Sequence, residues 1–220
     1  VFELKPDFAR NIVTGFCRLD GRSIGVVANQ PLRLAGMLDA RACEKAAHFI
    51  ALFDAFGVPL VFLIDVPGFA IGPSAERSLL GRRSGRLFFE LGQASVPRIS
   101  VVLRKGYGAG YYAMCGGRSF EADACYAWPT AELCAMSIEG AVDVAYRREF
   151  AGSDDPQGAR AALIERIRTQ TGALNAAADF GVDDIIDPRQ TRELLIRTLS
   201  RCRPRKPDRA PPRHRPISPI

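Results

Sequence analysis

The twenty residues from Arg98 to Gly117, RISVVLRKGYGAGYYAMCGG, constrain the fold more than any other stretch of the chain. Ile99, Val101, Val102 and Leu103 are β-branched or apolar without alternation, the pattern of a short central strand covered on both faces, and Val96-Pro97 leads into it. Gly106, Gly108 and Gly110 follow at once and let the chain turn at little steric cost into a helix. Backbone N–H groups that open such a helix lack intrahelical partners and sit at the positive end of its dipole, so the turn can hold negative charge. Taken by itself, GxGxG after a strand reads first as a structural turn and second as an anion site.

The rest of the chain repeats the theme. Ile12 to Leu19 and Ser23 to Ala28 are apolar runs split by Asp20-Gly21, which predicts a tight hairpin. Asn29-Gln30-Pro31 breaks the pattern, and a loop runs through Gly36. From Asp39 to Phe56, Ala42, Ala46, Phe49, Ile50 and Phe53 recur at helical spacing, with Asp39 placed to cap the helix and Gly57 to end it. Leu60 to Asp65 is a buried-strand run that empties into Pro67-Gly68-Phe69 and then Gly72-Pro73-Ser74. A helix is expected from Arg77 to Ala94, ahead of the strand already described. Two such crossovers imply a mostly parallel sheet with helices outside and the site at the strands' C-terminal ends.

Downstream, Ala122 to Trp128 reads as a strand stopped by Pro129-Thr130, and Glu139 to Phe150 and Arg160 to Thr171 read as helices around a polar Gly152 to Gly158 linker. Val182 to Asp187 is expected as a short strand, with Pro188 starting a helix to about Cys202.

Composition decides which partners and chemistries to keep. The 220 residues, 47% of them hydrophobic, suffice for one large core. The net charge of +6 is accounted for by Arg201 to Ile220, where seven Lys/Arg face the single acid Asp208, so the body is formally neutral and nucleic acid is an improbable partner. Six prolines in that stretch forbid a regular helix or central strand. The expected division is a domain over residues 1–200 and a basic, Pro-rich disordered tail over 201–220. Six cysteines without CxxC or a Cys/His cluster suggest a reduced, metal-free protein. No apolar run reaches the length of a membrane span, so a cytoplasmic location is expected, and a first residue that is Val1 suggests a processed chain or a piece of a longer one.

Only two histidines are present: His214 lies in the tail, and His48 reads as an ordinary residue within a helix. With no GxSxG elbow and no GxxxxGK[ST] loop, a Ser-His-Asp hydrolase and a Walker-type phosphate site are both unsupported. Asp65 and Glu76 read as capping or hydrogen-bonding residues more readily than as an acid/base pair. What survives is an oxyanion site built from backbone donors.

Several long strings then carry a family resemblance: NIVTGFCRLDGRSIGVVANQP, LDARACEKAAHFIALFDAFGVPLVFLIDVPGF, RKGYGAGYYAMCGG, YAWPTAELCAMSIEGAV and FGVDDIIDPRQTR. Together, from about Phe2 to Leu199, they resemble the C-terminal half of the carboxyltransferase (β) subunit of biotin-dependent acyl-CoA carboxylases of the propionyl-CoA and methylcrotonyl-CoA type. The resemblance implies an α/β fold of the crotonase or ClpP-like β-β-α superhelix kind. It also implies transfer of a carboxyl group from carboxybiotin, held on a separate carrier domain, to an acyl-CoA enolate, with the released biotin anion as base. The implied partners are an N-terminal carboxyltransferase half that holds the acyl-CoA, a biotin carboxylase and biotin carrier subunit, and further copies in a homo-oligomer.

Residue by residue, the resemblance places the biotin oxyanion pocket on the amides of Ala109 and Gly110 beside Gly108, with Pro67, Gly68 and Phe69 in the neighbouring loop. Ala109-Gly110 replaces the Gly-Ala pair of many propionyl-type sequences and keeps two N–H groups. Tyr112 falls where the propionyl type often has an aspartate, so propionyl-CoA does not carry over as substrate, and the AMCGG string is similar to methylcrotonyl-type relatives. Tyr112 is either a substrate-pocket residue or an aromatic packing residue at the helix start. A sodium-pump-type decarboxylase α subunit, which runs the same transfer in reverse, and a non-catalytic assembly module are the alternatives.

Overall fold

The computed structural model describes residues 1–117, 122–178 and 181–203, so nearly all of the expected basic tail lies outside the described residues. Its centre is an eight-stranded sheet with β1 (Phe2–Glu3), β2 (Ile12–Leu19), β3 (Arg22–Asn29), β4 (Leu60–Val66), β5 (Arg98–Tyr107), β6 (Ala124–Ala127), β7 (Glu132–Cys134) and β8 (Asp184–Ile185). The strands lie in the order β1-β2-β3-β4-β5-β6-β8, with β7 paired to the far end of β5. β1, β2 and β3 are antiparallel, and every pairing from β3 onward is parallel.

Local chemistry explains the early elements. The β2–β3 hairpin turns through Asp20 and Gly21, both at positive φ, and pairs Leu19 with Arg22 as a two-residue turn requires. Helix α1 (Ala40–Ala55) starts where the Asp39 carboxylate accepts the Ala42 N–H at 2.8 Å. It ends in a Schellman motif, with the Val58 and Gly57 amides donating to the carbonyls of Phe53 and Asp54.

Because parallel strands are buried on both faces, each strand feeds two cores. Leu60, Phe62, Ile64 and Val102 pack against α1 and α3 (Leu80–Gln93). Val61, Ile99 and Val101 meet Ile24 and, from α9 (Thr191–Arg201), Leu195 and Leu199.

Several expected boundaries move. The helix expected from Arg77 to Ala94 is two pieces, α2 (Pro73–Arg77) and α3, because the Ser78 hydroxyl bonds back to the Ala75 carbonyl and Leu79 adopts a left-handed φ of 58°. The helix expected from Glu139 to Phe150 divides at Tyr146 into α5 (Ile138–Ala145), capped by Ser137, and α6 (Arg147–Ala151). Helix α7 (Pro156–Gln170) begins four residues before Arg160, since Asp155 caps it and Pro156 suits its first turn. β7 and α8 (Ala173–Ala178) lie outside every expected element.

Candidate oxyanion site at the end of strand β5

β5 runs four residues beyond Leu103, where the apolar run stops, and this extension positions the site. Ile64 pairs with Val102, but Val66 pairs with Gly106, so one residue of β4 faces three of β5 in a bulge. The buried Asp65 carboxylate fills it, accepting the Lys105 N–H at 3.2 Å and the Arg104 guanidinium at 3.0 Å. Asp65 in turn raises the pKa of Arg104. On its other side the Asn29 amide bridges β4 and the loop at Gly36, accepting the Asp65 N–H at 3.1 Å and donating to the Gly36 carbonyl at 3.0 Å. Asp65 is thus the structural residue that its position at a strand end suggested.

Tyr107 is the N-cap of α4 (Gly108–Ala113), and no side chain caps that turn. The first amides of a helix have no i−4 carbonyl to bond, so those of Ala109 and Gly110 have no intrahelical partner. The turn is held from two sides. Gly108 has φ +54°, and a Cβ there would stand 2.7 Å from the Ala135 carbonyl oxygen. A Cβ on Gly110 would stand 2.8 Å from the Gly68 Cα. Both positions accept only glycine at these distances, because bonded-chain atoms on the facing backbone cannot swing away.

Gly68 is itself anchored, for its carbonyl accepts the Leu38 N–H at 3.0 Å while the Leu38 carbonyl accepts the Ala70 N–H at 2.8 Å. Phe69 packs edge-on to Phe88, with ring centroids 6.1 Å apart.

A cavity of about 790 Å³ opens on the other side of the turn, lined by Gly108, Ala109, Tyr112, Leu133, Cys134 and Ala176 among others. Ala109 is exposed on it, whereas Gly110 is buried beneath Gly68. Of the residues singled out from sequence, Gly108, Ala109 and Tyr112 therefore share the cavity. Gly68 stands behind the helix against Gly110, and neither it nor its neighbours Pro67 and Phe69 are among the residues lining the space.

Tyr112 is 45% exposed, and its ring lies 5.5 Å from that of Tyr111. Tyr111 is buried; its hydroxyl approaches the Cys125 sulfur at 3.5 Å, and burial followed by that neighbour pushes its pKa far up, so it stays protonated. The Tyr107 hydroxyl donates to Glu132 Oε2 at 2.6 Å, and burial together with this bond raises its pKa as well. Glu132 then meets Arg168 of α7 at 3.4 Å. Leu133, Cys134, Ala135 and Ala176 had no sequence signal as site residues, since β7 becomes a strand only by pairing with the extension of β5.

The carboxyl transferase domain family matches residues 1–217. The chain belongs to that family. It is 43% identical to the methylmalonyl-CoA carboxyltransferase 12S subunit of Propionibacterium freudenreichii subsp. shermanii, over 96% of this chain and 40% of that subunit. Identity to a propionyl-CoA carboxylase carboxyltransferase subunit of Haloferax mediterranei is 44%, over 94% of the chain and 41% of the relative. A methylmalonyl-CoA decarboxylase subunit α of Veillonella parvula is 38% identical over 97% and 40%. Among solved structures, a transcarboxylase 12S hexamer crystallised with methylmalonyl-coenzyme A and methylmalonic acid superposes with a TM-score of 0.89, covering 97% of this chain and 41% of that one.

This carboxyl transferase domain has the crotonase-like α/β architecture, and it spans about 40% of the length of the relatives it matches, as a C-terminal half would. Among the described residues no helix is long and apolar enough to cross a membrane.

Proposed function

We propose that this domain is the biotin-facing half of an acyl-CoA carboxyltransferase, with the acyl-CoA held by an N-terminal half of the kind its relatives carry. One observation carries the proposal: the uncapped first turn of α4 meets a cavity with Ala109 exposed at the junction. The donor set fits a ureido oxygen, because two adjacent amides without intrahelical partners, at the positive end of a helix, favour oxygen atoms that gain negative charge.

A carrier-borne carboxybiotin would supply the activated carboxyl group. The chain's own contribution is to hold the Ala109 and Gly110 amides against that charge, fixed by Gly68 on one side and the Ala135 carbonyl on the other. No side-chain acid or base is needed for that role; among the described residues the cavity lining carries neither carboxylate nor histidine, only the Tyr111 and Tyr112 phenols and the Cys134 thiol. The Tyr112 ring borders the same cavity and limits the shape of the acyl group that can approach. Transfer in the opposite direction, as a decarboxylase subunit, is a second reading favoured by the match to the Veillonella parvula subunit over 97% of the chain.

The test is carboxyl transfer from malonyl-, methylmalonyl- and methylcrotonyl-CoA to free biotin, with and without a separately expressed N-terminal half. Activity is expected only in the mixture, and the ester that works identifies the substrate. Ala109→Pro, which removes one N–H at a helix position that tolerates proline, is expected to lower kcat by about 10²–10³-fold. An inert mixture of two folded halves, or an unimpaired Ala109→Pro variant, would sink the proposal.

A further inference from the structure

Helices α5, α6 and α7 stand apart from both cores of the sheet. The buried apolar residues of α5 and α7 are Ile138, Val142 and Leu163, α6 buries none, and not one of the three belongs to the two clusters on the sheet's faces. Within the group, Arg160 of α7 pairs with Asp143 of α5 at 2.6 Å. The ion pairs and hydrogen bonds that carry the group to the site gather at the C-terminal end of α7.

There the Arg168 guanidinium collects carboxylates from three elements: Glu132 of β7 at 3.4 Å, Glu139 of α5 at 3.4 Å, and Glu165 of α7 itself. Glu132 divides its oxygens, turning Oε1 to Arg168 while Oε2 accepts the Tyr107 hydroxyl at 2.6 Å. Tyr107 is the residue from which α4 starts. Just beyond Arg168, the Thr171 carbonyl accepts the Leu133 N–H at 3.0 Å, and Gly172 bridges to Glu132.

These ties bear on the glycine turn. β7 is only three residues long, and the carbonyl that closes on Gly108 belongs to Ala135, the residue after it. Leu133, Cys134 and Ala135 form one wall of the cavity, and Ala176 of α8, the helix that follows Gly172, contributes to another. A strand so short has few ladder bonds of its own, so its place depends on what grips it from outside. An isolated exposed ion pair would contribute little. Here, removing the cation leaves three carboxylates from separate elements facing one vacated place, and like charges then push β7 away from the helices.

We infer that Arg168 is a positioning residue for the site: through Glu132 and Tyr107 it sets how far β7 stands from α4, and with it the clamp on Gly108 and the width of the cavity that Ala109 faces. The inference rests on the functional reading above for what the cavity holds, and it adds the residue that fixes the walls.

The experiment compares the wild-type 220-residue chain with Arg168→Gln, Arg168→Lys and Arg160→Gln. Glutamine is close to arginine in helix propensity, so the first variant removes charge without weakening α7. Arg160→Gln breaks the pair inside the helical group and leaves the Arg168 contacts in place. One readout needs no activity: the rate at which iodoacetamide modifies Cys134 in the native protein at pH 8, with Cys17 of β2 in the same sample as the standard for general loosening. Arg168→Gln is expected to speed Cys134 labelling by about 5–30-fold, Arg168→Lys by less because it keeps a cation but no fork, and Arg160→Gln not at all. Loss of positive charge by itself would disfavour the thiolate and slow the reaction, so acceleration reports movement of β7. The other readout is carboxyl transfer in the mixture with an N-terminal half, where Arg168→Gln is expected to lower kcat by about 10–100-fold while KM for the CoA ester stays within about twofold.

Unchanged Cys134 labelling in Arg168→Gln, equal acceleration in Arg160→Gln, equal acceleration of Cys17, or an unchanged kcat in an active mixture would each overturn the inference. If the wild-type mixture is inert, the functional reading falls by itself, and the labelling rates alone decide whether Arg168 holds the wall.

Discussion

Replacing Gly110 by alanine tests the close approach on which the whole site depends. The added Cβ would lie 2.8 Å from the Gly68 Cα, 3.0 Å from its carbonyl carbon and 3.2 Å from Val66 Cγ2. Carbon atoms rest at about 3.5–4.0 Å, so α4 and the Gly68 loop must part by roughly 0.5–1 Å. Neither can yield cheaply, because the loop is tied to Leu38 by two hydrogen bonds and α4 is blocked by the Ala135 carbonyl. Overpacking of this kind costs about 1–3 kcal/mol, which in a domain of this size lowers Tm by roughly 2–12 °C.

The internal control is Gly85→Ala in α3, where a Cβ meets nothing within 4 Å. Relief of the glycine entropy penalty in a helix is expected to stabilise that variant by about 0.5–1 kcal/mol. Thermal and urea denaturation of the 220-residue chain read both effects without any need for activity. If Gly110→Ala melts at the wild-type temperature or above it, the Gly110–Gly68 contact is not formed in solution and the argument for a clamped oxyanion turn fails. In the active mixture, a 1 Å displacement of the amides is expected to cost about 10²-fold in rate with little change in the affinity for acyl-CoA.

Other residues make independent predictions. Asp54 is 2% exposed, and its Oδ1 accepts the Ser95 N–H at 2.7 Å, the Ser95 hydroxyl at 2.9 Å and the Val96 N–H at 3.1 Å, tying the end of α1 to the approach to β5. Asp54→Ala should therefore destabilise by about 3–5 kcal/mol, seen as a lower urea midpoint at constant slope; a loss under about 1 kcal/mol would show that these bonds are not made. Cys43 is buried, and desolvation followed by the charges of Asp39 and Glu44 pushes its pKa up to about 12. At pH 8 iodoacetamide should thus label the half-buried Cys17, Cys134 and Cys202 in the native protein and leave Cys43 unmodified, as mass spectrometry would show. The same shift predicts that stability falls as pH rises from 9 towards 12, where the unfolded thiol ionises and the folded one does not; Cys43→Ala should flatten that fall. Tyr107→Phe removes the 2.6 Å bond to Glu132 and should cost about 1–3 kcal/mol in thermal denaturation, and an unchanged melt would mean that the bond contributes nothing.

Much of the fold was legible in the residues because its signals are local. Asp20-Gly21, Asp39 and Gly57 act on neighbours within four or five positions, and the apolar runs of β4 and β5 are continuous because both faces of those strands are covered. The break at Leu79 was not legible, because a left-handed leucine has no sequence signature of its own and is held there by its surroundings. The matching strings around Gly108 to Gly110 and Pro67 to Phe69 indicated which segments matter but not how they meet.

By itself, then, the sequence determined the alternation of strand and helix, the glycine turn after the central strand and the family to which the chain belongs. Tertiary structure alone decided that β5 continues past its apolar run, because the Asp65 carboxylate that fills the bulge comes from a neighbouring strand some forty residues earlier in the chain. It also decided that Gly68 is a support behind the glycine turn while Ala109 faces the cavity. Such contacts join segments far apart in sequence through backbone approach rather than side-chain pattern, and no periodicity along the chain records them.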